Sequence, residues 1–167
     1  MAKKTKVGLK VPTKNEILKK YGGMIKVASE TKETGLWLPS TFFALNYLFG
    51  GGIPWGKSIE IAGEESSGKS LIAYNFAYST IQLGGHVIWV DAEQSWMNSW
   101  AEINGVDPTK VTCINDTRIE YVSDAVADLA IYLRSQLTNN APILLVIDSI
   151  AAMDCADNID AKMAEGT

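Results

Sequence analysis

The stretch GEESSGKS, residues 63–70, decides the fold of this chain. It fits the pattern G-x-x-x-x-G-K-[ST] at every fixed position. In such a loop the backbone N–H groups turn inward around phosphate groups, and the glycines permit tight curvature and a close approach. The alternative is a glycine-rich turn that holds no ligand. Because a strand candidate precedes the loop and a helix candidate follows it, we predict a phosphate-binding loop.

The side chains of this loop predict how it would bind. We expect Lys69 to reach the outer phosphates as a point charge and the Ser70 hydroxyl to ligate magnesium. The helix that begins here also presents its positive end to an anion. Glu64 and Glu65 are unusual beside phosphate, and we expect them to point outward because the backbone does the binding. The predicted nucleotide-binding residues of the loop are Gly63, Glu64, Glu65, Ser66, Ser67, Gly68, Lys69, Ser70 and Leu71.

Strand and helix patterns alternate along the chain after residue 40. Apolar runs of strand length, rich in Val or Ile, occupy residues 58–62, 87–90, 111–114 and 143–147. Helical patterns occupy residues 69–83, which are apolar on more than one side, and 119–137, where apolar residues recur at spacings of three and four. This alternation predicts an α/β fold with a mostly parallel sheet flanked by helices.

Two predicted strands are followed by carboxylates suited to the chemistry of phosphates. Asp148 ends the run ILLVID, as in a Walker B segment, and is predicted to hold magnesium through a water; alternatively, it caps the next turn. Glu93 follows the second strand at the edge where parallel sheets bind ligands. We expect it to orient and polarise the water that attacks the γ-phosphate. The alternative is an acid in the first turn of a helix.

The overall composition narrows the class of protein. The chain has 167 residues, 47% of them hydrophobic and 20% charged, which is typical of about one globular domain. Its longest apolar run is shorter than the roughly 20 residues of a membrane helix, and no signal peptide pattern is present, so we expect a cytoplasmic protein without membrane contact. Two cysteines and one histidine argue against a disulfide framework or a zinc site. Any metal should therefore be a hard ion held by oxygens.

Charge divides the chain into a basic arm and an acidic body. Residues 1–32 hold nine lysines and two glutamates, whereas residues 33–167 hold six basic and seventeen acidic residues. Such an arm binds nucleic acid, anionic lipid or an acidic neighbouring subunit, or is only solvated. Within it, Thr13 and Glu16 predict a capping box and a short helix that must dock on its own body or on another copy. We predict an arm and helix over residues 1–35 and a core over residues 36–167.

Four tracts, taken together, resemble one known family. They are GGGIPWGKSIEIAGEESSGKS (50–70), VIWVDAEQSWMNSW (87–100), INGVDPTKV (103–111) and LLVIDSIAAM (144–153). In this order they resemble the bacterial RecA recombinases, from about residue 36 to residue 166, and the deviations suggest a phage-encoded relative. The expected fold is therefore a RecA-like P-loop NTPase.

The resemblance implies roles for individual residues. It implies that residues 63–70 bind ATP and Mg²⁺, that Glu93 and Lys69 are catalytic, and that Asp148 is the Walker B carboxylate. Trp100 lies where the family stacks an aromatic residue on adenine, although an aromatic pair such as Trp96 and Trp100 is more often core packing. Met97 replaces the aspartate that is usual near the adenine amino group, which puts base selectivity in doubt. Proline is usual in the family where this chain has Glu64.

The resemblance also implies a function and partners. Family members are DNA-dependent ATPases of homologous recombination and repair that form helical filaments on single-stranded DNA and exchange strands with a homologous duplex. Their N-terminal helix packs on the adjacent protomer. Their DNA-binding loops would lie beyond residue 166, so we expect an N-terminal piece of a longer protein, or a natural truncation, with an incomplete core. The alternatives are a RecA-fold ATPase of helicase or clock type, and a truncated nucleotide-binding regulatory subunit.

Overall fold

The computed structural model describes residues 12–22, 35–138 and 140–159. It separates into two units, Met1–Thr34 and Gly35–Thr167. In the first unit, helix α1 (Lys14–Lys20) begins after the capping box predicted from the sequence: the Thr13 hydroxyl accepts from the Glu16 N–H at 3.3 Å, and the Thr13 N–H donates to the Glu16 carboxylate at 2.8 Å. The helix buries none of its residues. The remainder of the predicted basic arm lies outside the described residues.

The second unit contains short elements at its start and longer ones around a parallel sheet. In chain order they are β1 (Trp37–Leu38), α2 (Phe43–Leu48), β2 (Ile53–Pro54), α3 (Lys69–Gln82), β3 (His86–Asp91), α4 (Asn98–Ile103), β4 (Val111–Ile114), α5 (Ile119–Gln136) and β5 (Ile143–Asp148). Within the described residues, no helix is both long and apolar enough to cross a membrane.

The parallel sheet has the strand order β4-β3-β5. The register runs from His86 opposite Ile143 to Asp91 opposite Asp148, so β3 and β5 end side by side. Residues 87–90 of β3 are at most 1% exposed. A strand buried on both faces should read as a continuous apolar run, as this one does. The predicted α/β class, with a parallel sheet flanked by helices, is confirmed.

The core lies between α3 and β3. Tyr74 and Ala77 of α3 pack with Trp89 of β3, and the rings of Tyr74 and Trp89 are 4.7 Å apart. Phe76, on another side of α3, packs with Leu38 and Ile53 of the first two strands. The predicted helix that is apolar on more than one side therefore contacts two groups of core residues. This packing holds α3 against β3 and against the first two strands.

One predicted strand is wrong, because residues 58–62 form no strand. A strand requires hydrogen bonds to a neighbouring strand. Here a cavity of about 700 Å³ lies between this segment and β5, lined by side chains of both, including Ile59, Ile61, Leu144 and Val146. The segment therefore has the composition of a strand but, within the described residues, no neighbouring strand to pair with. Missed elements are the antiparallel pair of β1 and β2 and the six-residue helices α2 and α4.

Candidate functional site

The predicted phosphate loop leads directly into α3. The residue before this helix, Gly68, has φ +90°, a left-handed conformation that side-chain-bearing residues rarely adopt. At the other end of the loop, a Cβ added to Gly63 would lie 2.7 Å from the Ser67 hydroxyl oxygen. The backbone therefore favours glycine at residue 68, whereas at residue 63 a side chain would require the Ser67 hydroxyl to move. The first N–H groups of α3 face the loop side and lack intrahelical acceptors.

Lys69 lies over the loop that it follows. Its ammonium group donates to the carbonyl oxygen of Gly63 at 3.1 Å and to that of Glu64 at 2.8 Å. Glu64 and Glu65 themselves are exposed. The backbone N–H groups of the loop and the Lys69 ammonium are the groups here that suit an anion. This arrangement suits a phosphate group, which prefers N–H donors and a cation.

The end of the loop meets the end of β5. The Ser70 hydroxyl donates to a carboxylate oxygen of Asp148 at 2.7 Å. A hydroxyl and a carboxylate are hard oxygen ligands of the kind that Mg²⁺ takes, usually with waters and phosphates completing its shell. Within the described ranges, no group of three or more His, Cys, Asp or Glu residues could hold a metal. Ser70 and Asp148 could supply two oxygens to a Mg²⁺ ion whose other ligands are phosphate and water.

Asp91 ends β3 and organises the turn that follows. It is 2% exposed, and its two oxygens accept from the backbone N–H groups of Ser95 and Trp96, each at 2.9 Å. Nearby, burial and the charges of Asp91 and Asp148 raise the pKa of Tyr74 to about 12, so this phenol stays protonated. From the sequence, Asp91 is expected only to lie with Glu93 at the ligand-binding edge of the sheet. The signal was a carboxylate directly after four apolar strand residues, which predicts backbone partners at the end of the strand.

Glu93 lies in that turn, at the same edge of the sheet as Asp148. Its carboxylate accepts from the Ser149 hydroxyl at 2.6 Å. Helix α4 begins only at Asn98 and has no acidic residue in its first turn, so Glu93 is not a first-turn acid. Through these contacts the structure brings Ser70, Asp148 and Glu93 to one edge of the sheet, and Lys69 precedes Ser70 at the start of α3.

The tryptophans after β3 have different surroundings. The Trp96 ring packs 5.4 Å from that of Tyr74 and 5.0 Å from that of Trp89, measured between ring centroids. Trp100, on α4, is 43% exposed, and Met97 before it is 58% exposed. Core packing therefore accounts for Trp96. Trp100 keeps a ring surface that is free to stack on a flat ligand.

The geometry of this edge agrees with the family comparison. The model of the RecA N-terminal domain matches residues 10–167. The chain belongs to this RecA family. Proteins named "Protein RecA" are 32% identical to it over 150 residues in Malacoplasma penetrans (strain HF-2) and 30% identical over 169 residues in Bacteroides thetaiotaomicron. A "Protein RecA, plasmid" from Lactococcus lactis subsp. lactis is 34% identical over 131 residues.

These relatives are much longer than this RecA-family chain. The alignment with the Malacoplasma penetrans protein covers 90% of the chain and 44% of that relative. The corresponding shares are 99% and 49% for the Bacteroides thetaiotaomicron protein, and 77% and 36% for the Lactococcus lactis protein. The chain therefore spans less than half the length of these relatives. The predicted family and the RecA-like core are confirmed, and the phage origin stays a prediction.

Proposed function

We propose that the protein to which this chain belongs is a DNA-dependent ATPase of homologous recombination and repair, and that this chain supplies most of its nucleotide site. The observation that carries the proposal is the meeting of Lys69, Ser70, Glu93 and Asp148 at one edge of the parallel sheet. Membership of the RecA family supports the process in which such a site would act.

In this proposal the loop residues hold ATP and Glu93 acts on water. The N–H groups of residues 63–70 and the Lys69 ammonium bind the phosphates, and Trp100 stacks on the adenine. A Mg²⁺ ion, held by Ser70 directly and by Asp148 through a water, would neutralise charge on the outer phosphates. Glu93 orients the attacking water and accepts its proton.

The proposed partners are single-stranded DNA, a homologous duplex and further copies of the protein. The body of this chain is acidic, with six basic and seventeen acidic residues after residue 32, so phosphate contacts would come mainly from other parts of the longer protein. The basic arm and α1, which buries none of its own residues, would dock on a neighbouring copy in a helical filament. A cytoplasmic location goes with this function.

The decisive experiment measures ATP binding and phosphate release by the full-length protein, with and without single-stranded DNA. We expect DNA-stimulated hydrolysis that falls about 10²- to 10⁴-fold in Glu93→Gln, because a positioned base contributes that much. Glu102→Gln, an exposed glutamate of α4, is the matched control and should keep full activity. Turnover that ignores DNA would indicate an ATPase of helicase or clock type, and binding without turnover a regulatory subunit.

A second variant tests the phosphate loop itself. Lys69→Ala removes the ammonium that lies on the loop carbonyls, so ATP affinity should fall about tenfold or more. Circular dichroism and the unfolding midpoint establish that the variant is folded. Unchanged ATP affinity in a folded Lys69→Ala variant would show that the loop does not hold the phosphates.

A further inference from the structure

Ser149 contacts the proposed catalytic carboxylate, and nothing in the proposed mechanism yet uses it. Its hydroxyl donates to one oxygen of Glu93 at 2.6 Å, although the two residues are 56 positions apart in the chain. Glu93 is exposed, whereas Ser149 is partly buried at the end of β5. An exposed glutamate without a partner samples many rotamers. This hydrogen bond restricts Glu93 to the rotamers that face the site.

The backbone on both sides of this contact is also fixed. The Ala92 N–H donates to the Asp148 carbonyl at 3.1 Å, directly beyond the last paired residues of β3 and β5. The Gln94 N–H donates back to the Asp91 carbonyl at 3.2 Å, which closes a turn around Glu93. The main chain that carries Glu93 and Ser149 is therefore held in place by hydrogen bonds. The hydroxyl adds the last restraint, at the side chain.

We propose that Ser149 is a positioning residue, whose hydroxyl holds one carboxylate oxygen of Glu93 so that the other oxygen faces the attacking water. The inference rests on the proposed ATPase function. As water forms a bond to the γ-phosphorus and the bond to the ADP oxygen breaks, the free oxygen of Glu93 takes the proton of the water. The Ser149 proton stays on Ser149 throughout, so the residue acts through geometry alone.

The kinetic test compares Ser149→Ala with Ser149→Thr, which keeps the hydroxyl. We expect Ser149→Ala to lower kcat about 10- to 100-fold, because small misplacements of a reacting group cost that much, with KM for ATP nearly unchanged. Ser149→Thr should recover most of the rate. Ser135→Ala is the matched control, since the Ser135 hydroxyl also makes a 2.6 Å hydrogen bond, to the Tyr132 carbonyl on α5, remote from the loop in sequence. It should leave kcat unchanged.

Double variants separate positioning from a general structural effect. When Glu93→Gln is already present, Ser149→Ala should cause no further loss of rate, because there is no base left to position. A further tenfold loss, or a failure of Ser149→Thr to recover activity, would overturn the proposal. Equal losses of kcat and of ATP affinity would also overturn it, since those would indicate a damaged nucleotide site.

Unfolding measurements test the contact between Ser149 and Glu93 even if the chain does not hydrolyse ATP. The urea midpoints of Ser149→Ala, Glu93→Ala and the double variant form a cycle. If Ser149 holds Glu93, the midpoint shift of the double variant is smaller than the sum of the single shifts. Additive shifts would refute the contact. Absence of turnover in the wild type, together with coupled shifts, would instead count against the proposed function and leave the pairing supported.

Discussion

Replacement of Asp91 by alanine should destabilise the protein more than any other single change of an acidic residue at the site. Asp91 is 2% exposed and accepts from two backbone N–H groups, those of Ser95 and Trp96, both at 2.9 Å. Alanine leaves both donors without their acceptor, which is a buried carboxylate. The turn that presents Glu93 is built on these two bonds, so we expect it to loosen as well.

The magnitude follows from the two bonds. A hydrogen bond to a charged group contributes about 1.5 to 3 kcal/mol net, and partial relaxation of the turn lets water reach one of the donors. We therefore expect Asp91→Ala to cost about 3 kcal/mol of the free energy of unfolding. For a chain of this size that corresponds to a fall in Tm of roughly 10 °C. Asp91→Asn keeps one acceptor oxygen and should lie between the wild type and alanine.

Urea unfolding followed by tryptophan fluorescence is the assay, because Trp89 and Trp96 are packed in the core beside this turn. Asp107→Ala is the matched control. Asp107 also accepts from a backbone N–H, that of Thr109 at 2.9 Å, but it is exposed, and its loss should hardly move the midpoint. A loss below about 0.5 kcal/mol for Asp91→Ala, or one equal to that of the control, would refute the reasoning.

Three further outcomes can be measured on the same preparation. Hydrogen bonds from the Arg118 side chain lower the pKa of Asp116 to about 2 in the folded protein. Because the folded value is depressed, this stabilisation is present above pH 4 and is lost as the pH falls toward 2. The difference in urea midpoint between wild type and Asp116→Asn should therefore shrink from pH 4 to pH 2. Trp96→Ala should cost about 3 kcal/mol in urea unfolding, whereas Trp100→Ala should cost little and weaken ATP binding about tenfold in a fluorescence titration. Gly68→Ala, at φ +90°, should lose about 1 to 2 kcal/mol in thermal unfolding.

The longer elements could be predicted from the sequence because each has a pattern long enough to be recognised. The predicted helices at residues 69–83 and 119–137 each end one residue earlier than expected, at Gln82 and at Gln136. The helices α2 and α4 have six residues each and no side-chain cap, so neither periodicity nor a capping signal marks them. The strand expected at residues 58–62 failed for another reason. A strand depends on its neighbour, which composition does not reveal.

The features of the site likewise divide into those that the sequence predicts and those that it does not. The roles proposed for Lys69 and Ser70 followed from a fixed spacing, because the loop is a local structure that eight consecutive residues specify. The function of Asp91 as an acceptor of two N–H groups depends on a turn whose conformation the sequence does not display. The contact between Ser149 and Glu93 depends on which strands are neighbours. Sequence motifs could therefore predict individual residues of the site. Which of these residues contact one another could be known only from the order of the strands in the sheet.

That order links the fold to the chemistry. Asp91 and Asp148 are opposite each other in the register of β3 and β5. Directly after Asp91, the Ala92 N–H donates to the Asp148 carbonyl and continues this pairing. A slip of one residue would move every side chain of β5 to the other face, and Asp148 would leave the Ser70 hydroxyl. The slip would also separate the Ser149 hydroxyl from the Glu93 carboxylate. The register of β3 and β5 therefore also determines how the proposed base lies relative to the proposed magnesium ligands.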